Sequence, residues 1–199
     1  MSKGGAQKVV PALGALRLVA VVAVVGLLVV TTWPLFGHGE GLPNTRGWGD
    51  PGQPGSTQGQ QFLNTKIVLI SAGGVRVRVH RRAAANFRGF LNELASTPYA
   101  IHQSDTAGYN HRFNVNDPKR LSEHAWGTAV DVNWTANPNR IDCRLVTDLP
   151  HHIEAVAKRW GLRWGGNFGC PKDPMHFEIK GTPRAAARAA RLASRTTRQ

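Results

Sequence analysis

The chain has 199 residues, a length that suits one domain with appendages. With 41% hydrophobic and 19% charged residues it has the composition of a globular protein to which apolar sequence has been added. Its two cysteines, Cys143 and Cys170, are too widely spaced for a structural zinc knot, and the formal charge of +13 implies polyanionic surroundings: nucleic acid, anionic lipid or an anionic wall polymer.

Residues 1–17 carry Lys3, Lys8 and Arg17, and the first acidic residue is Glu40. Residues 18–36, LVAVVAVVGLLVVTTWPLF, are uncharged. As a helix this run would rise about 28 Å, close to the roughly 30 Å hydrocarbon core of a bilayer. Trp33 suits its interfacial end, and the basic flank puts the N-terminus in the cytoplasm and the rest outside. A cleaved signal peptide would have a shorter apolar core followed by a small-x-small site, and the sequence WPLFGHGEG has no A-x-A pattern. The expectation is therefore a single-pass cell-membrane protein whose C-terminal domain is extracytoplasmic, or a secreted domain if the segment is cleaved. Either way the domain is exported, which sets specific nucleic-acid binding aside as the meaning of the charge.

Residues 37–61 are rich in Gly, Pro, Gln and Ser, as in DPGQPGSTQGQ, and predict a flexible spacer. The domain is expected over residues 62–181. An apolar run at residues 66–70, the turn SAGG, and Val75, Val77 and Val79 alternating with arginines predict a hairpin. Phe87, Phe90, Leu91 and Leu94 fall on one face of an amphipathic helix. Ile153, Val156, Ala157 and Trp160 repeat that spacing, with Pro150 in the first turn and Gly161 as the stop. Helices mixed with antiparallel-type strands predict an α+β fold. Residues 182–199 form a basic tail. If helical, Arg184, Arg188, Arg191, Arg195 and Arg198 line one stripe that would meet anionic lipid or wall polymer; otherwise the tail is solvated.

Two segments carry candidate chemistry, LSEHAWGTAVDVNW at residues 121–134 and DPMHFEI at residues 173–179. In the first, residues 128–134 alternate as a strand, with Val130 and Val132 on one face and Ala129, Asp131 and Asn133 on the other. Strands disfavour Asp, so Asp131 in mid-strand is telling. Gly127 turns the chain just before it, which brings His124 near. In the second segment His176 and Glu178 share a face. If the two strands are neighbours, His124, Asp131 and His176 converge as two imidazoles and a carboxylate. That is the ligand set of a catalytic zinc with an open position. Peptide hydrolysis also needs a base for the water proton and a positive partner for the oxyanion. Asp173, three residues before His176, and Arg112, in GYNHRFN, are the candidates. Glu178 is either a partner to the metal ligands or solvated. Trp126 and Trp164 wall a groove or pack in the core, and His102, His111, His151 and His152 are expected at the surface. Cys143 and Cys170 flank the second helix and, in an exported domain, are expected to form a disulfide.

Ser122, His124, Gly127, Ala129 and Asp131, as S-x-H-x-x-G-x-A-x-D, followed downstream by His176-Phe177-Glu178, resemble the VanY-like zinc metallopeptidases. These are the D-alanyl-D-alanine carboxypeptidases and L-alanyl-D-glutamate peptidases. The resemblance covers roughly residues 75–180 and includes GYNHR and the WGG of residues 164–166. It implies one zinc ion held by His124, Asp131 and His176, Asp173 as catalytic acid/base, and Arg112 on the scissile carbonyl. It further implies a substrate-orienting role for Ser122; Trp164, as a groove wall, is the other substrate-binding candidate. The implied fold is a small α+β domain with a central antiparallel sheet flanked by helices, shared with hedgehog signalling domains. The implied substrate is the peptide of peptidoglycan, most simply a D-alanyl-D-alanine terminus. Many such members have Glu where Asp173 stands; Asp there is similar to the L-alanyl-D-glutamate endopeptidases. Some relatives of this fold bind wall without hydrolysing it.

Overall fold

The computed structural model describes residues 47–196, all within the unit His38–Gln199. The predicted cytoplasmic segment, membrane anchor and first part of the spacer lie outside the described residues. No helix among the described residues is long and apolar enough to cross a membrane. The described fold is a small mixed α/β domain with four α-helices and small antiparallel sheets.

The elements are α1 (Thr57–Lys66), β1 (Ile67–Ala72), β2 (Val75–His80), α2 (Ala84–Ala95), β3 (Phe113–Asn114), β4 (Asp117–Leu121), β5 (Ala129–Asp131), α3 (Ile153–Arg159), β6 (Leu162–Trp164), β7 (His176–Ile179) and α4 (Pro183–Thr196). Strands β1 and β2 pair as a hairpin in full register, from Ile67 opposite His80 to Ala72 opposite Val75. Its loop is Gly73–Gly74 with φ of 59° and 80°, the left-handed pair that a two-residue hairpin needs. The expected central sheet is instead divided among this hairpin, the short β3–β4 pair and a three-stranded sheet in the order β5–β7–β6.

The face of α2 that bears Phe87, Phe90, Leu91 and Leu94 is buried against β1, and Phe90 meets Phe177 of β7 with ring centroids 4.5 Å apart. Thus the helix packs directly beneath the strand that carries His176. The buried Asn86 donates through Nδ2 to the carbonyls of Trp160 (2.7 Å) and Ala186 (2.9 Å), tying α2 to the end of α3 and to α4.

Two boundaries differ from expectation. The stretch read as a spacer to residue 61 enters the core over its described part. Trp48 is buried and its indole donates to the Gly181 carbonyl at 3.0 Å, and Gly59, inside α1, is buried as well. A buried tryptophan and a helix that begins at Thr57 anchor a Gly/Pro-rich segment whose composition alone reads as flexible. The region read as a tail from residue 182 is helix α4, which buries Ala186, Ala190 and Ala193 while Arg184, Arg188, Arg191 and Arg195 stay exposed. Alanines let one helix approach another closely, so this apolar face needs no large side chains; Arg198 lies outside the described residues.

Candidate metal centre

His124 sits in a 3₁₀ turn, Glu123–Trp126, whose ends are both held. The Ser122 hydroxyl accepts from the His124 backbone N–H at 3.3 Å and caps the turn. Gly127 closes it at φ 66°, where a Cβ would stand 2.6 Å from the His80 backbone nitrogen. Only glycine meets both demands.

Asp131 ends β5. Its backbone exchanges hydrogen bonds with Ala107 at 2.8 and 3.0 Å on one side and pairs with His176 on the other. Beyond it, Asn133 is held by Tyr99, Ala100, Thr106 and His102, and Tyr99 in turn donates to Asp148 at 2.7 Å. The expected split into an inner and an outer face is absent here: Ala129, Val130, Asp131, Val132 and Asn133 are all buried, because β5 lies between β7 and the 105–107 segment.

On β7, His176 opposes Asp131 and Glu178 opposes Ala129. This register brings three donor atoms together. His124 Nε2 is 3.1 Å from Asp131 Oδ1, His176 Nδ1 is 3.0 Å from the same oxygen, and the two nitrogens are 3.2 Å apart. The outer nitrogens fix the tautomers. His124 Nδ1 lies 2.7 Å from the Gly108 carbonyl and His176 Nε2 lies 3.0 Å from Glu178 Oε2, and both oxygens can only accept from it. The inner nitrogens therefore present lone pairs toward each other and toward a carboxylate oxygen.

Such an array needs a positive charge at its centre. For His176, burial lowers the pKa, but Asp131 and Glu178 outweigh burial and hold it well above the ordinary value. Burial likewise raises Asp131, yet the two histidines bring it below the usual carboxylate range. A cation can take the place of the proton. Metal–ligand bonds of about 2.0–2.1 Å at tetrahedral angles separate donor atoms by roughly 3.3 Å, close to the spacings here. The donor set, two neutral imidazoles and a carboxylate with carboxylate and carbonyl partners behind the histidines, fits zinc.

Asp173 is brought to this corner by close backbone approach. Its N–H donates to the Gly165 carbonyl at 3.1 Å, its own carbonyl accepts from His176 N–H at 3.0 Å, and a Cβ on Gly165 would stand 2.2 Å from that carbonyl oxygen. Its Oδ1 is buried without a hydrogen-bond partner. Burial raises its pKa; His176 opposes the rise and Asp131 adds to it.

The remaining candidates fall in different places. Arg112 is half-buried, and its guanidinium donates to the Phe113 carbonyl at 3.3 Å. Its backbone is tied to the His124 turn, since Ser122 N–H donates to the Arg112 carbonyl at 3.0 Å and Asn110 N–H to the His124 carbonyl at 3.1 Å. Ser122 is buried, with its hydroxyl engaged as the cap of the His124 turn. Trp164 is buried as well: its indole donates to the Pro174 carbonyl at 2.7 Å, so it steadies the loop between Asp173 and His176. Trp126 similarly donates to the Gly49 carbonyl at 2.9 Å. His151 and His152 are exposed, and His102 is exposed too. His111 is half-buried against α1, 3.1 Å from the Gly52 carbonyl. Cys143 and Cys170 form a disulfide with a Cα–Cα distance of 4.9 Å. With the bridge between Arg140 and Lys172 it fastens the loop after β5 to the segment that leads into Asp173.

Two groups near the centre had no signal in the motifs. Glu123 is pushed up to about 7, by burial first and the Glu178 charge second, although the Thr128 hydroxyl donates to it at 2.9 Å. Arg163 pairs with Glu178. A hydrophilic residue on a short strand gives no hint of its cross-strand partner.

Residues 116–179 match the family model described as D-alanyl-D-alanine carboxypeptidase, of the M15 peptidases. The matched stretch contains His124, Asp131, Asp173 and His176, and Arg112 precedes it. Comparison with curated proteins and with solved structures returned no match. The family match supports a peptidase, and the cluster of His124, Asp131 and His176 could hold its metal.

Proposed function

We propose that the protein is a zinc-dependent peptidase that hydrolyses peptidoglycan stem peptides, of the D-alanyl-D-alanine carboxypeptidase type. The observation that carries this reading is the convergence of two imidazole lone pairs and one carboxylate oxygen within 3.0–3.2 Å, inside the stretch that matches the family model.

Zinc bound to His124, Asp131 and His176 would polarise the scissile carbonyl and make water acidic enough to attack near neutral pH. The chain's own groups supply the rest. Asp173 takes the proton of the attacking water and returns it to the leaving amine; its unpartnered, buried Oδ1 and raised pKa support that role. Arg112 stabilises the oxyanion, supported by its backbone attachment to the His124 turn. Gly165 and Trp164 hold the Asp173 loop against the sheet. The uncharged run at residues 18–36 would keep this domain at the outer face of the cell membrane, next to its wall substrate. The exposed arginines of α4 would contact anionic lipid or wall polymer.

An L-alanyl-D-glutamate endopeptidase is the second reading. Asp at position 173 favours it, because Asp there resembles the L-alanyl-D-glutamate endopeptidases whereas many carboxypeptidases have Glu. Mass spectrometry of digested pentapeptide muropeptides separates the two: loss of a terminal D-alanine marks the first, and cleavage after L-alanine the second. Hydrolysis that persists in chelator and in Asp173→Ala would falsify both. Zinc uptake and wall binding without turnover would leave a non-catalytic wall-binding module.

A further inference from the structure

We propose that Arg163 is a positioning residue for the metal ligand His176, acting through Glu178; the inference rests on the metal-site reading above. The three-stranded sheet aligns these residues across its register. His176 opposes Asp131 on β5, while Glu178, two residues further along β7, opposes Arg163 on β6. Arg163 Nε donates to Glu178 Oε1 at 2.6 Å, and its Nη2 forms an ion pair with the same oxygen. Oε2 is thereby turned to His176 Nε2 at 3.0 Å. The guanidinium lies over Phe168, 4.6 Å from the ring centroid, and that ring is 6.1 Å from the imidazole of His176.

The arrangement has a direction. The side chain of Glu178 is 4% exposed and that of Arg163 is 52% exposed, so an anion inside the protein is held by a cation at its surface. A buried carboxylate without a partner is costly, and a planar fork seated on an aromatic ring fixes its orientation as a point charge does not. With Oε1 occupied by Arg163, Oε2 fixes the His176 ring and keeps its proton on Nε2, which leaves the Nδ1 lone pair aimed at Asp131 and His124. Loss of the fork removes the partner of Oε1, so the orientation of the carboxylate behind His176 is less tightly fixed while all three ligands stay in place.

The test uses the full chain in detergent, as native protein, Arg163→Met and Arg163→Lys. Zinc affinity is measured by competition with a chromophoric chelator, and ligand geometry by the visible spectrum of the cobalt(II)-substituted protein. The expected result is about a tenfold or greater loss of zinc affinity in R163M, with altered cobalt bands, and partial recovery of both in R163K. Native-like affinity and spectrum in either variant would overturn the proposal while leaving the metal site standing. Should R163M fail to fold, R163K decides by the same two readouts. A native chain that takes up no zinc overturns the metal-site reading and this proposal together. Zinc uptake without hydrolysis, with the expected variant pattern, supports the proposal and sinks only the peptidase reading.

Discussion

Nδ1 of His176 lies 3.0 Å from Oδ1 of Asp131 across the β5–β7 pair, both side chains nearly enclosed. Burial alone opposes a charge on either group. The pair favours a positive charge between its members, which a proton on His176 or a metal shared with His124 would supply. The alternation between these two states is the physical basis of the first prediction.

Zinc should stabilise the fold through Asp131. At a hundred times its dissociation constant a ligand adds about 2.7 kcal/mol. Thermal unfolding is expected to shift upward with zinc and return with chelator. Asp131→Asn keeps the shape and removes the charge, so most of the shift should vanish. An unchanged zinc response in D131N would place the metal elsewhere.

Asp173→Ala should separate binding from turnover. Asp173 is outside the three-ligand cluster, so zinc stoichiometry is expected to stay at the native value. Hydrolysis should fall by roughly 10²–10⁴, the usual contribution of a positioned general base. Metal analysis beside steady-state kinetics checks both halves, and loss of zinc in D173A would reassign Asp173 to the metal site.

Gly127→Ala should lower stability, because Gly127 combines φ 66° with a Cβ position 2.6 Å from the His80 nitrogen. A strained backbone with a steric contact is expected to cost about 2 kcal/mol or more. Urea unfolding reads this directly. The same variant should lose zinc affinity, since the turn presents His124. A native denaturation midpoint would show that the turn relaxes freely.

Stability should fall between about pH 6.5 and pH 4 because of His80. Burial lowers its pKa from 6.5 to about 4, opposed by its bond to the Trp48 carbonyl and reinforced by Arg82, Lys66 and Arg81. The ring is neutral in the fold, with Nδ1 accepting from the Arg82 N–H at 3.1 Å. In acid the unfolded chain binds the proton first. The contribution is thus complete above the unfolded value and is lost as pH falls toward the folded one, amounting to no more than about 3 kcal/mol. His80→Gln should flatten this part of the stability–pH curve, and an unaltered slope would assign the effect to another group.

Reducing the disulfide between Cys143 and Cys170, 27 residues apart, should cost about 3.5 kcal/mol by loop entropy. Because the bridge ends three residues before Asp173, turnover is expected to drop more than zinc affinity. Unfolding and activity with and without reductant, checked by intact mass, would show it. Equal losses of zinc and turnover would mean that reduction disturbs the whole site.

The elements legible in the sequence are those whose signal is local. The valines of β2, the apolar face of α2 and the Gly161 stop after α3 repeat at the period of their own element, so a short window contains the whole signal. The spacing of His124 and Asp131 about Gly127 is local too, because a single turn links them. Composition misled where a few contacts outweigh many residues: Trp48 docks a stretch that reads as spacer, and the alanines of α4 pack a helix that reads as tail.

What only the tertiary structure decided is register. It sets His176 opposite Asp131 and Glu178 opposite Arg163, pairs that are 45 and 15 residues apart in the chain. It also turns Ser122 and Trp164 inward, as a cap and a loop brace. Sequence by itself determined which residue types are available for a metal and which turn brings two of them near. The third ligand, the carboxylate behind it and the arginine that holds that carboxylate depend on strand pairing. A slip of one residue would turn every one of those side chains to the opposite face.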